Sequence, residues 1–206
     1  MDQNAVLHQV EVFASEGMRV LGFAEKRFDR AALDMEDCAQ GFEFTGLQAM
    51  IDPPRTEVID AIRVCHQAGI TVKMITGDHP VTAEAIGRQL GLLQQGQSAM
   101  QGRELDGLSE IELQSAVMST NVFARVAPEH KIQLEQALQA QRHVVAMTGD
   151  GVNDAPALKR ADIGIAMGIT GTAVSKEAAK VVLMDVKFAS ITAAVEVGRR
   201  VYDNLI

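Results

Sequence analysis

The run Met147-Thr148-Gly149-Asp150-Gly151-Val152-Asn153-Asp154-Ala155-Pro156-Ala157-Leu158 holds two carboxylates four residues apart, with glycines flanking the first and an amide beside the second. Upstream, His143 to Met147 is an apolar run that reads as a buried strand, and downstream Ala155 to Arg160 reads as a helix. Asp150 is therefore expected at the carboxyl end of a strand and Asp154 near the start of a helix, both facing one crevice. Two anions ~5 Å apart repel by roughly 3 kcal/mol at an effective dielectric of 20, so the pair calls for a cation. Hard oxygen ligands with room for water point to Mg2+. Gly-Asp-Gly and Asn-Asp are also common turn material, a reading that leaves the second acid on the following helix unexplained.

The plan occurs twice. Ile70 to Ile75 reads as an apolar strand, followed by Thr76-Gly77-Asp78-His79 and a helix opened by Pro80 in its first turn. Thr76 would present a hydroxyl and a backbone N–H where that helix offers its positive end, which suits a phosphoryl oxygen. Alone, Thr-Gly-Asp before a helix is as readily a cap; two such crossings in one chain indicate a shared purpose. Further along, Phe123-Ala124-Arg125-Val126-Ala127-Pro128-Glu129-His130-Lys131 places Lys131 in the first turn of another helix. A cation there opposes the helix dipole and so calls for an anionic partner.

Working outward, strands and helices alternate. A helix is expected over Asn4 to Glu16, a strand over Arg19 to Lys26, an acidic irregular connection over Ala31 to Glu43 and a strand over Phe44 to Met50. Pro53-Pro54 would open a helix that Gly69 ends, and the helix from Pro80 to Leu90 would end at Gly91. Leu92 to Gly107, rich in Gln and Gly, predicts no element, while Ser109-Glu110-Ile111-Glu112 is a capping box opening a helix to Met118. Strands are expected at Val122 to Val126, Asp162 to Ala166 and Val181 to Met184. A last helix from Ser190 carries Ile191, Ala194, Val195, Gly198 and Val201 as a stripe suited to core packing. This rhythm predicts an α/β fold, doubly wound and mainly parallel.

Composition agrees. With 206 residues, 47% of them hydrophobic, the chain can bury a real core. Its formal charge of −8 argues against nucleic acid or anionic membrane surfaces as partners. No apolar run approaches the ~18 to 20 residues of a membrane span, and Met1-Asp2-Gln3-Asn4 does not open a signal peptide. Cys38 and Cys65 have neither metal-ligand nor disulfide-framework spacing.

Asp52-Pro53-Pro54-Arg55, Thr76-Gly77-Asp78, the Pro128 to Lys131 run and Thr148-Gly149-Asp150-Gly151-Val152-Asn153-Asp154 resemble, in order and separation, the phosphorylation domain of a P-type cation-transporting ATPase. The stretch Ala166 to Thr172 with Ser175 to Ala179 is similar to the calcium-pump-like branch. The resemblance implies a haloacid dehalogenase-like, Rossmann-like sheet with its site at the strand carboxyl ends. It implies ATP and Mg2+ as cofactors, with the γ-phosphoryl group passing to an aspartate and the aspartyl phosphate later hydrolysed. Asp150 would ligate the metal, Asp154 would support the metal and its waters, and Asn153 would donate to a phosphoryl oxygen. Thr76 would give that group its hydroxyl and N–H, and Lys131 would neutralise charge on the transferring oxygens. Arg19 would reach ATP phosphate, Asp52 and Arg55 would lie near hinge and nucleotide, Gly77 and Asp78 would belong to the cofactor-binding set with Asp78 steadying the Thr76 loop, and Arg125 would approach the ribose.

One departure outweighs the matches. The family's phosphorylated aspartate lies in Asp-Lys-Thr-Gly-Thr, and no Asp followed by Lys-Thr-Gly occurs in the sequence. The expectation is a fragment: residues 1–45 the end of a nucleotide-binding domain, 46–195 most of the phosphorylation domain, 196–206 the start of a helix leading to the next membrane span. Such a segment would be inactive alone. It would lie on the cytoplasmic side of a membrane pump, a bacterial inner membrane or its equivalent, with the pump's other domains and its transported cation as partners. Lacking the central strand that carries the aspartate, the strands ending at Ile75 and Met147 would face each other across ~10 Å, twice the usual spacing. The gap would be filled by residues 1–12 or by a strand-exchanged partner, or closed by direct pairing, or left poorly ordered. Two other readings stand beside this one: a free-standing Mg2+-dependent phosphatase of the haloacid dehalogenase type, and a non-catalytic module that binds Mg2+ or nucleotide.

Overall fold

In the computed structural model, which describes residues 2–29, 34–51, 54–185 and 187–205, helices follow strands as the periodicity demands. In chain order the elements are α1 (Gln3–Ser15), β1 (Arg19–Glu25), β2 (Glu43–Met50), α2 (Thr56–Gln67), β3 (Met74–Ile75), α3 (Pro80–Gln89), β4 (Met100–Gln101), α4 (Gly102–Leu105) and α5 (Glu110–Ser119). There follow β5 (Val122–Ala124), α6 (Pro128–Ala140), β6 (Ala146–Gly149), α7 (Ala155–Arg160), β7 (Ile163–Met167), α8 (Ala173–Ala178), β8 (Val181–Leu183) and α9 (Ala189–Asp203). Local chemistry sets the ends. Gly69 and Gly91 follow α2 and α3 at φ +73° and +72°, a conformation only glycine adopts without strain. The Ser109–Glu112 capping box opens α5 as its spacing requires.

β1 and β2 form an antiparallel ribbon that straddles the boundary expected at position 45. The remaining strands make two parallel three-stranded sheets, in the orders β3-β5-β4 and β6-β7-β8. The strand of each sheet that the sequence placed beside the missing one is an edge: β3 in the first, β6 in the second. Met74 and Thr76 donate their N–H groups to Asn121 and Phe123, so alternation turns the Ile75 N–H to the side where no strand pairs among the described residues. Residues 2–12 do not fill this space. Gln3–Ser15 is a helix, capped by the Asp2 carboxylate accepting from the Asn4 N–H, and it packs on α3 and β1. The helix won because residues 3–15 run without Gly or Pro and Asp2 supplies the cap.

Among the described residues three apolar clusters hold the layers together. β5 alternates across its sheet: Val122 and Ala124 enter one cluster with Ile62, Ala83, Leu92 and Leu93, while Phe123 enters another with Leu105, Val117, Leu134 and Ala137. The third gathers Met147, Ala157, Leu158 and Ala161 beneath the second sheet, and Ile132 of α6 reaches into it. Gly164 in β7 lies so close to α7 that a Cβ there would overlap the Leu158 carbonyl oxygen.

Several expected boundaries moved. Residues 70–73 and 143–145 lead into β3 and β6 without ladder pairing, since only the second half of each apolar run meets a neighbouring strand. α2 starts at Thr56, with Arg55 as its N-cap. The stretch that predicted no element contains β4 and α4. The α9 stripe is not core: no residue of α9 is buried, and Val201 is 53% exposed. Its helical spacing satisfies amphipathicity, but among the described residues α2 is the main element against it. No helix among the described residues is long and apolar enough to cross a membrane.

Candidate functional site

β6 delivers Thr148, Gly149 and Asp150 into a tight turn that a short 3-10 helix, Val152–Asp154, closes ahead of α7. Gly149 is required by a close approach: a Cβ there would stand 2.5 Å from the Asp154 Cβ. With that space open, Asp154 turns back into its own loop, its Oδ2 accepting from the N–H groups of Asp150 (3.2 Å) and Gly151 (3.0 Å). Its Oδ1 lies 2.5 Å from the Lys131 Nζ, in a pair whose side chains are 13% and 20% exposed. Burial works to raise the Asp154 carboxyl above its ordinary value, but the Lys131 hydrogen bond and charge with the two loop amides outweigh it, and the group lies lower. Asp154 is thus fully engaged, and it anchors the loop.

Asp150 is the opposite case. Its side chain is exposed and has no partner among the described residues, while its backbone is held from beneath. The Asp150 carbonyl accepts from the Thr172 N–H at 2.9 Å and from the Ser175 hydroxyl at 3.1 Å, and Ser175 is wholly buried. Asn153 is exposed beside it. One carboxylate is therefore presented and the other spent on presenting it.

The second loop is also tied down. The Thr76 hydroxyl donates to Asp78 Oδ2 at 2.8 Å and accepts from the Asp78 N–H at 3.1 Å. The Thr76 N–H, expected to be open to a ligand, instead donates to the Phe123 carbonyl at 2.9 Å, because β3 continues its pairing with β5 by one residue. The open donor is the Gly77 N–H, which has no partner among the described residues. The Arg125 N–H donates to the Asp78 carbonyl at 3.1 Å, with Arg125 at φ +51°, a strained setting for a non-glycine residue.

The structure thus gathers Thr76, Gly77, Asp78 and Arg125 at one strand end, and Asp150, Asn153, Asp154 and Lys131 at another. No hydrogen bond or ion pair joins the two loops among the described residues. Arg19 and Arg55 are exposed and have no partner among the described residues, at the start of β1 and the cap of α2; Asp52 lies outside the described residues. Asp162 is structural, accepting from the Val145 N–H and Gln139. Sequence reading missed His130, Thr172 and Ser175. His130 Nδ1 accepts from the Ala127 N–H at 3.0 Å, which makes Nε2 the donor to Asp106 at 2.8 Å. This clasp fixes the turn that presents Lys131, and the three-residue spacing of Ala127 and His130 was its available signal. Among the described residues no group of three or more His, Cys, Asp or Glu could hold a metal.

A family model described as haloacid dehalogenase-like hydrolase matches residues 5–162, and a second of the same description matches 131–194. The chain is 54% identical over 208 residues to a cation-transporting ATPase, pma1, of Synechocystis, covering all of this chain and 23% of that protein. It is 50% identical over 204 residues to calcium-transporting ATPase 1 of Bacillus cereus, covering 99% of this chain and 23% of that protein. A sodium/potassium exporting P-type ATPase, cta3, of Schizosaccharomyces pombe is 43% identical over 218 residues, with 100% and 21% covered. The chain spans about a quarter of the length of these relatives.

Proposed function

The chain belongs to the haloacid dehalogenase-like hydrolases, and from that premise we propose that it is the phosphorylation-domain segment of an ATP-driven, P-type cation pump. The observation that carries this reading is end-to-end similarity, at 43 to 54% identity, to proteins named as cation-transporting ATPases. Residues 1–45 would close a nucleotide-binding domain, 46–195 form most of the phosphorylation domain, and 196–206 lead toward a membrane span. The segment would face the cytoplasm, with ATP, the transported cation and the pump's other domains as partners.

Mg2+ fits the donor set on one side only. Asp150 offers free hard oxygens, whereas both Asp154 oxygens are already engaged. When bound, the metal would neutralise phosphoryl charge. Asp150 would hold it, Asp154 and Lys131 would keep the loop in register, and Asn153, Thr76 and the Gly77 N–H would donate to phosphoryl oxygens. Arg19, Asp52, Arg55 and Arg125 would serve the nucleotide, with Asp78 shaping the Thr76 loop. With a single presented carboxylate, Mg2+ affinity is expected to be weak, millimolar or poorer.

The sequence contains no Asp-Lys-Thr-Gly, so incubation with labelled ATP and Mg2+ should leave no acid-stable phosphoenzyme. A hydroxylamine-sensitive label on this chain would sink the proposal in favour of a self-sufficient enzyme. Turnover of a generic phosphomonoester would favour the free-standing phosphatase, and tight Mg2+ or nucleotide binding without turnover the binding module.

Among the described residues the edges of β3 and β6 carry unpaired backbone groups beside apolar side chains, a template for strand addition. Sedimentation at rising concentration should reveal self-association, suppressed by proline at Ala146. A monomer at every concentration would remove strand exchange from this account.

A further inference from the structure

Three side chains on one face of α6 look toward α7 at one-turn intervals. Lys131 is paired with Asp154, and Gln139 donates to Asp162 at 3.2 Å. Between them lies Glu135, only 2% exposed, with neither carboxylate oxygen given a hydrogen bond among the described residues. The same helix packs through Ile132 on Met147, Ala157, Leu158 and Ala161, so the carboxyl is buried along the α6–α7 seam between two satisfied rungs. Burial pushes it up to about 7, Arg160 draws it down and Asp162 adds to the rise. The charged groups acting on it are Arg160, the last residue of α7, and Asp162 two residues beyond; Lys131, paired with Asp154, lies one turn earlier on α6.

We propose that Glu135 is a positioning residue for the Lys131–Asp154 pair: protonated, it lets the α6–α7 seam close and hold Lys131 on Asp154; ionised, it loosens the seam and unhooks Lys131. The inference rests on the site reading above. A carboxylate without donors is far costlier in a buried seam than the neutral acid. Losing its proton therefore obliges the seam to admit water or to draw in the Arg160 guanidinium. The two members of the pair then respond unequally. Asp154 is pinned by the N–H groups of its own loop, whereas Lys131 travels with α6. The pair opens on the lysine side, freeing an ammonium for an arriving anion and Asp154 Oδ1 for a cation or its waters.

Acylation of lysine amines, read residue by residue by mass spectrometry, tests this without nucleotide, so it stands or falls apart from the phosphoenzyme result. With exposed Lys187 as internal reference, relative labelling of Lys131 should rise about threefold or more between about pH 6 and about pH 8.5 as the seam opens. Glu135→Gln and Glu135→Leu should both abolish the rise. A rise that persists in either folded variant, or no rise in the unaltered protein, overturns the proposal. Should neither variant fold, carboxyl carbon NMR of the unaltered protein decides: one glutamate must titrate with the same midpoint as Lys131 labelling, and a different midpoint overturns it.

Discussion

Asp154→Ala is expected to lower unfolding free energy by about 3 kcal/mol near neutral pH, measured by chemical denaturation. The change strands the Lys131 ammonium in a mostly buried position and removes the acceptor of the Asp150 and Gly151 N–H groups. Asp154→Asn should lose about half as much, since an amide oxygen can still accept from the loop. Adding Lys131→Met to Asp154→Ala should recover part of the loss by removing the stranded charge. The pH dependence has a definite sign. The folded-state value lies below the unfolded one, so the stabilisation is complete from just above the unfolded carboxylate range, about 4, up to the pH at which Glu135 loses its proton. It is lost as pH falls through the lower folded value. The difference between wild type and Asp154→Ala should therefore shrink on acidification. A neutral-pH loss below about 1 kcal/mol would show that the loop does not depend on this carboxylate.

Gly164→Val should destabilise more, by about 4 kcal/mol or to the point of insolubility. β7 is the middle strand of its sheet, and at Gly164 even a Cβ would overlap the Leu158 carbonyl oxygen, a backbone atom that no rotamer change can move. Lys180 also donates its N–H to the Gly164 carbonyl at 2.9 Å, so the strand cannot retreat without losing that bond. Gly107→Ala is the control: nothing stands within 4 Å of a Cβ there, and the change should stay within about 1 kcal/mol. Similar denaturation midpoints for the two variants would refute the close-packing argument.

Periodicity and capping chemistry made most of the architecture legible beforehand. Gly69, Gly91 and the Ser109–Glu112 box each mark a boundary through a local mechanism, and such mechanisms survive tertiary context. The β3 and β6 runs were overextended because apolar composition reports burial, while a strand also needs a partner for its N–H and C=O groups. The Asp150–Asp154 spacing located the site but not the division of labour within it. That division depends on Gly149 leaving room for Asp154 to fold back and on Lys131 arriving from another helix. Ser175 escaped notice for a related reason: its hydroxyl acts on a carbonyl 25 residues away in sequence, a relation no local pattern encodes.

Two sheets with no strand in common would ordinarily melt as two bodies. Here α6 lends Leu134 and Ala137 to the apolar cluster under the first sheet and Ile132 to the cluster under the second. It is a party wall. Neither half can shed the helix without exposing a side of its own interior, so opening either one raises the free energy of the other, and the two are expected to melt together although no ladder of hydrogen bonds joins them among the described residues.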